Sequence, residues 1–404
     1  MDRLQGLLGI AVILGIIVVL SRSRRHINWR TIGMGLALQV AFAFLVLAWE
    51  PGFKALEAVS HGLTKLTDFT NEGTQFVFGG LMGEDFVFAF NVLPIIIFLG
   101  AIIAALYYLR VIQYIVEYVG SAIKWVLGTS KVESVWAATV IFLGQSEAPL
   151  VIKPYVPKLT RSELFTCMTG GFASVAGSTL IGYSLLGAPL EYLLAASLMN
   201  APGSILVAKG LMPETEDSNL DATVKDVRDE ESKNIVDAIS SGAMTGGKIA
   251  IAVACLLIAF IAMIAMLSAI LGGIGNIFGQ DGWSLEGLFG AIFAPFAWLI
   301  GVPWSDAIDV GNFIGQKTIL NEFVGYTSFS EKLTELSDKS IMLSSFALAG
   351  FANISSIGIQ IGALGGVAPE RRGEVAKLGP WALFGGFLTN MLNAAIVGVV
   401  VAPM

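Results

Sequence analysis

Trp136-Ala-Ala-Thr-Val-Ile-Phe-Leu-Gly-Gln-Ser-Glu-Ala-Pro-Leu-Val-Ile-Lys153 is the stretch on which the fold turns. An apolar approach runs into three polar side chains, Gln145, Ser146 and Glu147, and then meets Pro149. Proline is well placed to start a second helical piece, because its missing N–H is not needed in a first turn. The expected object is a re-entrant hairpin of two half-helices over residues 131–160, with its tip near mid-membrane. A carboxylate at that depth is costly unless it is paired or faces a water-filled cavity, so Glu147 is a functional candidate. The bland alternative is an ordinary surface loop, in which Gln-Ser-Glu would be unremarkable.

The surrounding chain sets the membrane. Its 404 residues are 55% hydrophobic and only 14% charged, against about a quarter charged in a soluble domain. Leu4–Leu20, Thr31–Trp49, Phe86–Leu109, Leu164–Leu190, Tyr192–Ala208, Ile249–Gln280, Ser340–Pro369 and Leu378–Met404 contain no Asp, Glu, Lys or Arg. A helix needs roughly 20 apolar residues to cross the hydrocarbon core. An all-α membrane protein of eight transmembrane helices plus two re-entrant hairpins is expected. The first apolar run is read as a retained helix: its basic cluster, Arg22 to Arg25, follows the run where a signal peptide would have it in front. Placing both termini outside puts most of the 24 Lys and Arg residues on the inner side, as the positive-inside rule requires. The expected location is the cytoplasmic (inner) membrane.

A net charge of −7 gives no reason to expect nucleic acid as a partner. Cys167 and Cys255 both fall in apolar runs, which offers nothing for disulfide or CxxC chemistry. No HExxH, Walker loop or Gly-x-Ser-x-Gly occurs, so neither an enzyme nor a bound cofactor is expected.

Along the chain, residues 1–85 read as a helical hairpin followed by an amphipathic interfacial segment. Residues 86–209 form a first repeat, 210–248 an acidic cytoplasmic connector, and 249–404 a second repeat with its own hairpin at 305–327. The repeats echo one another. Gly171-Phe-Ala-Ser-Val-Ala-Gly-Ser178 resembles Gly350-Phe-Ala-Asn-Ile-Ser-Ser-Ile357, and Glu147 and Glu322 stand at nearly the same offset. If each hairpin enters and leaves on one side, the second repeat is inserted upside down. Inverted repeats with interrupted helices are a hallmark of secondary transporters. The stretch 287–305 reads as either interfacial or spanning, with Pro295 and Pro303 against a plain crossing.

Three clusters could carry solute. Glu147 stands on the first hairpin. Glu322, between Asn321 and Phe323, stands on the second, and Lys317 five residues earlier is a candidate to neutralise it. Asn353 and Ser356, three apart, share one helix face, although polar residues there often serve helix packing. Gly170, Gly171 and Gly177 would let the matching helix unwind, freeing carbonyl oxygens as cation ligands near Ser174. Two carboxylates, two amides and several hydroxyls suit a small neutral polar solute. A passive pore is the competing class, and it needs no paired inverted hairpins.

Gly-Gln-Ser-Glu-Ala-Pro-Leu (144–150), Lys-Thr-Ile-Leu-Asn-Glu-Phe-Val (317–324) and Gly-Phe-Ala-Asn-Ile-Ser-Ser-Ile-Gly (350–358) resemble the signature stretches of the concentrative nucleoside transporters, in the bacterial eight-span form. The resemblance covers nearly the whole chain. It implies an elevator-type homotrimer in the lipid bilayer, importing nucleosides together with a cation. A free nucleobase is the alternative solute. It implies that Gln145, Ser146 and Glu147 meet the nucleobase and that Glu322, Asn353 and Ser356 hold the ribose hydroxyls. It also places Phe351 against sugar or base and Thr179 beside the base. Sodium-coupled members carry an amide where this chain has Val140. Ser174 and the carbonyls of Leu143 and Val175 remain as sodium ligands, and a hard cation prefers a full oxygen shell. The resemblance therefore leaves sodium or a proton as coupling ion, with Val140 tilting the balance to a proton carried on Glu147 or Glu322.

Overall fold

The computed structural model describes residues 2–81, 87–216, 232–280 and 282–401, and among them the chain is helical with no strand. Helix α1 (Asp2–Val19) is followed, after a connection with a 3-10 turn at Arg24–His26, by α2 (Trp29–Ala43), which ends in a π-turn over Phe44–Ala48. Asn28 caps α2: its Oδ1 accepts from the N–H groups of Arg30 and Thr31. Helix α3 (Glu50–Phe78) occupies most of the segment expected to be amphipathic. It leaves Val59, Phe69, Phe76 and Val77 exposed, as suits a helix lying at a lipid interface.

The first half then runs α4 (Phe88–Asn91), α5 (Leu93–Tyr108), α6 (Val111–Leu127), and the hairpin arms α7 (Lys131–Thr139) and α8 (Ala148–Val151). Helices α9 (Arg161–Ala173), α10 (Gly177–Leu185) and α11 (Leu190–Leu211) complete it. The second half repeats the order: α12 (Ile235–Ile277), α13 (Leu285–Leu299), and the hairpin arms α14 (Ala307–Ile319) and α15 (Glu322–Lys332). It closes with α16 (Asp338–Leu348), α17 (Ile354–Val367) and α18 (Arg372–Val400). Six helical stretches among the described residues are long and apolar enough to cross a membrane. Arg3–Val19, Leu285–Leu299 and Ile354–Val367 are shorter apolar helices.

Both spans that carry the echoed motif are broken at it. The α9/α10 break falls at Ser174-Val-Ala176, after Gly170 and Gly171, and the α16/α17 break at Ala349–Asn353. Glycine is a poor helix residue, and Asn353 offers a better alternative as the cap of α17, its Oδ1 accepting from Ser356 N–H at 2.9 Å. Corresponding elements of the two halves pack on each other: α5 on α12, and α11 on α18. Close approach at the first pair depends on small residues. A Cβ on Gly246 would stand 2.6 Å from the Ile96 carbonyl oxygen, and one on Gly242 2.5 Å from that of Gly100. This Gly-x-x-x-Gly pair lets the backbones touch.

Several boundaries differ from the sequence reading. The second hairpin ends at Lys332, five residues beyond the expected 327. Helix α12 begins at Ile235, inside the stretch read as connector, because Asn234 caps it; residues 217–231 of that connector lie outside the described residues. The 287–305 stretch lies mostly in α13, a 15-residue helix that begins at Leu285 with Pro295 inside it, too short for a plain crossing. The second arm of the first hairpin is one helical turn followed by turns and a short 3-10 segment at Val156–Lys158. Pro154 and Pro157 remove N–H groups that a longer helix would need.

Candidate functional site

Both breaks and the first hairpin tip meet in one place. The Gly177 N–H donates to the Phe142 carbonyl at 3.2 Å, and the Phe351 N–H donates to the Ser174 carbonyl at 3.0 Å. The first bond seats the first hairpin on the α9/α10 break; the second joins the two breaks to each other.

Side chains then form one continuous polar chain across these elements. Gln360 Nε2 donates to Gln145 Oε1 at 3.1 Å and to the Met168 carbonyl at 2.9 Å. Gln145 Nε2 donates to Ser356 Oγ at 2.9 Å. Ser356 N–H donates to Asn353 Oδ1, and Asn353 Nδ2 donates to Glu322 Oε2 at 2.8 Å. Tyr183 Oη donates to the other carboxylate oxygen, Oε1, at 2.9 Å. Glu322 stands at the start of α15, where backbone N–H groups favour negative charge. Asn321 caps that helix, its Oδ1 accepting from Val324 N–H at 3.0 Å.

Of the residues singled out in the sequence, the structure brings Gln145, Glu322, Asn353 and Ser356 into this chain, all of them buried. Thr179 is buried one turn before Tyr183, with its hydroxyl donating to the Ala176 carbonyl at 2.9 Å. Phe351 is half-buried at the break. Ser146 is exposed and Glu147 half-buried. Glu147 lines a cavity of about 780 Å³ between α5, α12 and the first hairpin, with Lys153, Ser178, Ser241 and Thr245 also on its wall. That volume falls in the range of small-molecule sites.

One expectation fails. Lys317 does not neutralise Glu322 by direct pairing: among the described residues no ion pair within 4.0 Å joins them, and Lys317 Nζ donates to the Ala347 carbonyl and to Asn390 Oδ1. The helix α14 arm turns this side chain towards α16 and α18, and Glu322 stays within electrostatic reach without a hydrogen bond.

The oxygen atoms available to a hard cation lie beside the first tip. Ser174 is buried, and its Oγ donates to the Gly171 carbonyl at 3.0 Å. Among the described residues neither the Leu143 nor the Val175 carbonyl accepts a backbone hydrogen bond. Val140 is buried and brings no side-chain oxygen.

Sequence reasoning missed Tyr183 and Gln360. Both are neutral side chains inside uncharged runs, where they read as packing. The available signal was helical spacing: Tyr183 follows Thr179 by four, and Gln360 follows Ser356 by four, each on the same face. Tyr183 is also held by aromatic packing, stacked on Tyr326 with centroids 4.6 Å apart and met edge-on by Phe323 at 4.8 Å.

Inverted halves, two hairpins and two broken helices meeting in a buried polar chain are the build of a secondary transporter. Comparison with known proteins makes the class specific. Residues 8–81 match the family profile of the Na+ dependent nucleoside transporter N-terminus, 192–398 that of its C-terminus, and 89–190 a nucleoside recognition (Gate) profile. The chain is 48% identical to the uncharacterized transporter YutK of Bacillus subtilis, over 99% of this chain and 100% of that protein. It is 44% identical to the putative nucleoside permease NupX of Escherichia coli, over 98% and 99%. Its structure resembles that of CNTnw in an inward-facing substrate-bound state, with a TM-score of 0.95, 46% identity, and 99% and 98% of the two chains covered. The chain belongs to the family of Na+-dependent nucleoside transporters. Nucleoside transport is its function, and of the two coupling ions expected, sodium is the one the family is described by.

Proposed function

We infer that the protein imports nucleosides across the cytoplasmic membrane by symport, with both termini outside, as a homotrimer whose hairpins and broken helices carry the solute. The observation that supports this most strongly is the polar chain from Gln360 through Gln145, Ser356 and Asn353 to Glu322 and Tyr183, which ties both hairpins to both breaks. A solute whose hydroxyls and base edge replace these internal bonds would engage four mobile elements at once. In this reading Glu322, Asn353 and Ser356 hold the ribose hydroxyls. Gln145, Ser146 and Glu147 read the base edge, and Phe351 and Thr179 border it. The cavity beside Glu147 is the route by which solute reaches or leaves the first hairpin. Catalysis has no part in this scheme.

Sodium, as cargo, would be held by Ser174 Oγ and the Leu143 and Val175 carbonyls, with water completing a shell to which Val140 adds nothing. A proton on Glu147 or Glu322 is the other coupling arm. The test is labelled uridine uptake into proteoliposomes, with inward sodium and inward proton gradients imposed separately. Concentrative uptake under sodium alone supports the three-oxygen site; uptake under protons alone moves coupling to the carboxylates. No uptake under either gradient, or stronger competition by uracil than by uridine, overturns the nucleoside site.

A further inference from the structure

Lys317 is wholly buried, and among the described residues it pairs with no carboxylate within 4.0 Å. Its Nζ donates to the Ala347 carbonyl at 2.9 Å and to Asn390 Oδ1 at 2.6 Å. Glu322 is within electrostatic reach without pairing, and a buried ammonium hydrogen-bonded only to neutral groups is costly unless its surroundings are negative in another way as well. Here they are. Ala347 lies in the last turn of α16, and Lys317 itself lies in the last turn of α14. Asn390, on α18, extends the arrangement: its Nδ2 reaches the Ala173 carbonyl at 2.9 Å and the Ala349 carbonyl at 3.0 Å. Ala173 ends α9, and Ala349 is the C-cap of α16. Asn200 on α11 donates to the same Ala349 carbonyl at 3.2 Å.

Three helix C-termini therefore converge in the protein interior: those of α14, α9 and α16. The last two are the first halves of the two broken spans. A helix C-terminus carries a partial charge of roughly −0.5, so the three together present roughly −1.5, most of which the single Lys317 ammonium offsets. A bound ion is the other common way to satisfy a broken-helix crossing. Lys317 brings to this crossing a cation that belongs to the chain itself, apart from the sodium proposed at Ser174 and the Val175 carbonyl.

We propose that the Lys317 ammonium is a tethered counter-charge for the two broken helices and thereby a positioning residue for the nucleoside site. It anchors the last turn of the α14 arm, three residues before the tip at Leu320-Asn321 and Glu322. Through Asn390 it also sets the spacing of the breaks from which Asn353 and Tyr183 reach Glu322. The inference rests on the reading of Glu322 as a substrate ligand.

The experiment is nucleoside binding to purified, monodisperse full-length protein, with thermal stability recorded alongside. Lys317→Met keeps the apolar stem and removes the charge; it is expected to weaken uridine binding at least about tenfold. Lys317→Ala is expected to bind as poorly and to recover with millimolar propylammonium but not with propanol. Should the variants fold poorly, the yield of monodisperse Lys317→Ala purified in propylammonium or in propanol gives the same readout. Unchanged affinity in Lys317→Met, or equal rescue by propylammonium and propanol, overturns the counter-charge and leaves a space-filling side chain. Glu322→Gln runs in parallel. If it too binds normally, the site reading fails and this inference with it; if it alone loses binding, only the role of Lys317 fails.

Discussion

The two re-entrant hairpins occupy equivalent places in inverted halves, yet they are built differently. The second has two full helical arms, an Asn321-capped tip and a buried Glu322 clamped by Tyr183 and Asn353. The first has one helical arm, a second arm cut short by prolines, and a half-buried Glu147 facing a cavity. Their bases differ as well. The first hairpin is anchored by two buried ion pairs, Lys131–Glu117 at 2.9 Å and Lys209–Glu133 at 2.6 Å. The second is anchored by Asp306 Oδ2, which accepts from Ser340 Oγ at 2.6 Å, Ser337 Oγ at 2.8 Å and Ser337 N–H at 3.1 Å. The difference shows how a duplicated motif can divide its work. One copy holds its carboxylate between two buried donors, Tyr183 and Asn353; the other sets its carboxylate on the wall of a cavity, hydrogen-bonded within its own tip.

That division is open to attack. Glu322→Gln should have the largest effect on transport, since in the function proposed above it removes a charged acceptor for two substrate hydroxyls, worth about 1.5–3 kcal/mol each. Uridine uptake in proteoliposomes should fall at least about a hundredfold at equal protein content. Near-normal uptake would end the assignment of ribose binding to the second hairpin.

Stability should suffer most at the first hairpin's base. Lys209→Met strips Glu133 of its buried partner, and breaking such a pair costs about 3–5 kcal/mol. A marked fall in thermal midpoint in detergent is expected. An unchanged midpoint would show that the ion pair is not what anchors this hairpin.

Tyr183→Phe removes one donor from Glu322 and leaves the ring packing in place. A hydrogen bond to a charged group is worth about 1.5–3 kcal/mol, so uridine affinity should change by about tenfold or more while expression and midpoint stay near wild type. Gln360→Leu should be milder, a few-fold loss, because Gln145 keeps its bond to Ser356. A greater loss from Gln360→Leu than from Tyr183→Phe would reverse the ranking of the two hairpins.

The smallest effect belongs to Asp306. Burial pushes its carboxyl up, but hydrogen bonds from Ser340, Ser305 and Ser337 outweigh this and hold it below the usual value. A depressed carboxylate contributes stability above its ordinary pKa of about 4 and loses it as pH falls through the lower folded value. Asp306→Asn should therefore lower the midpoint slightly at neutral pH and flatten its decline in acid. An identical acid profile in both proteins would detach this carboxylate from the hairpin's stability.

Much of this was legible in local sequence. Charge-free runs mark the spans because bilayer thickness sets their length, and the echoed Gly-Phe-Ala motifs mark the breaks because glycine weakens a helix and Asn353 caps the next. Gln145, Glu322 and the Asn353/Ser356 pair stood out because polar groups are rare in such runs. The truncated second arm of the first hairpin was readable in Pro154 and Pro157, once each is seen as a missing donor.

Partnership was another matter. Tyr183 meets Glu322 across 139 positions, Gln360 meets Gln145 across 215, and Lys317 meets Asn390 across 73. No periodicity encodes such pairs. The alternative in which Lys317 pairs with Glu322, five residues away, is not what the packing produces, because distance along a chain is a poor guide to direction in space. Spans, breaks and tips follow from hydropathy and backbone preference, which act over a few neighbours. Which carboxylate is clamped, which faces a cavity, and where the buried cation finds its partners depend on helices brought together from opposite halves, and only their packing settles that.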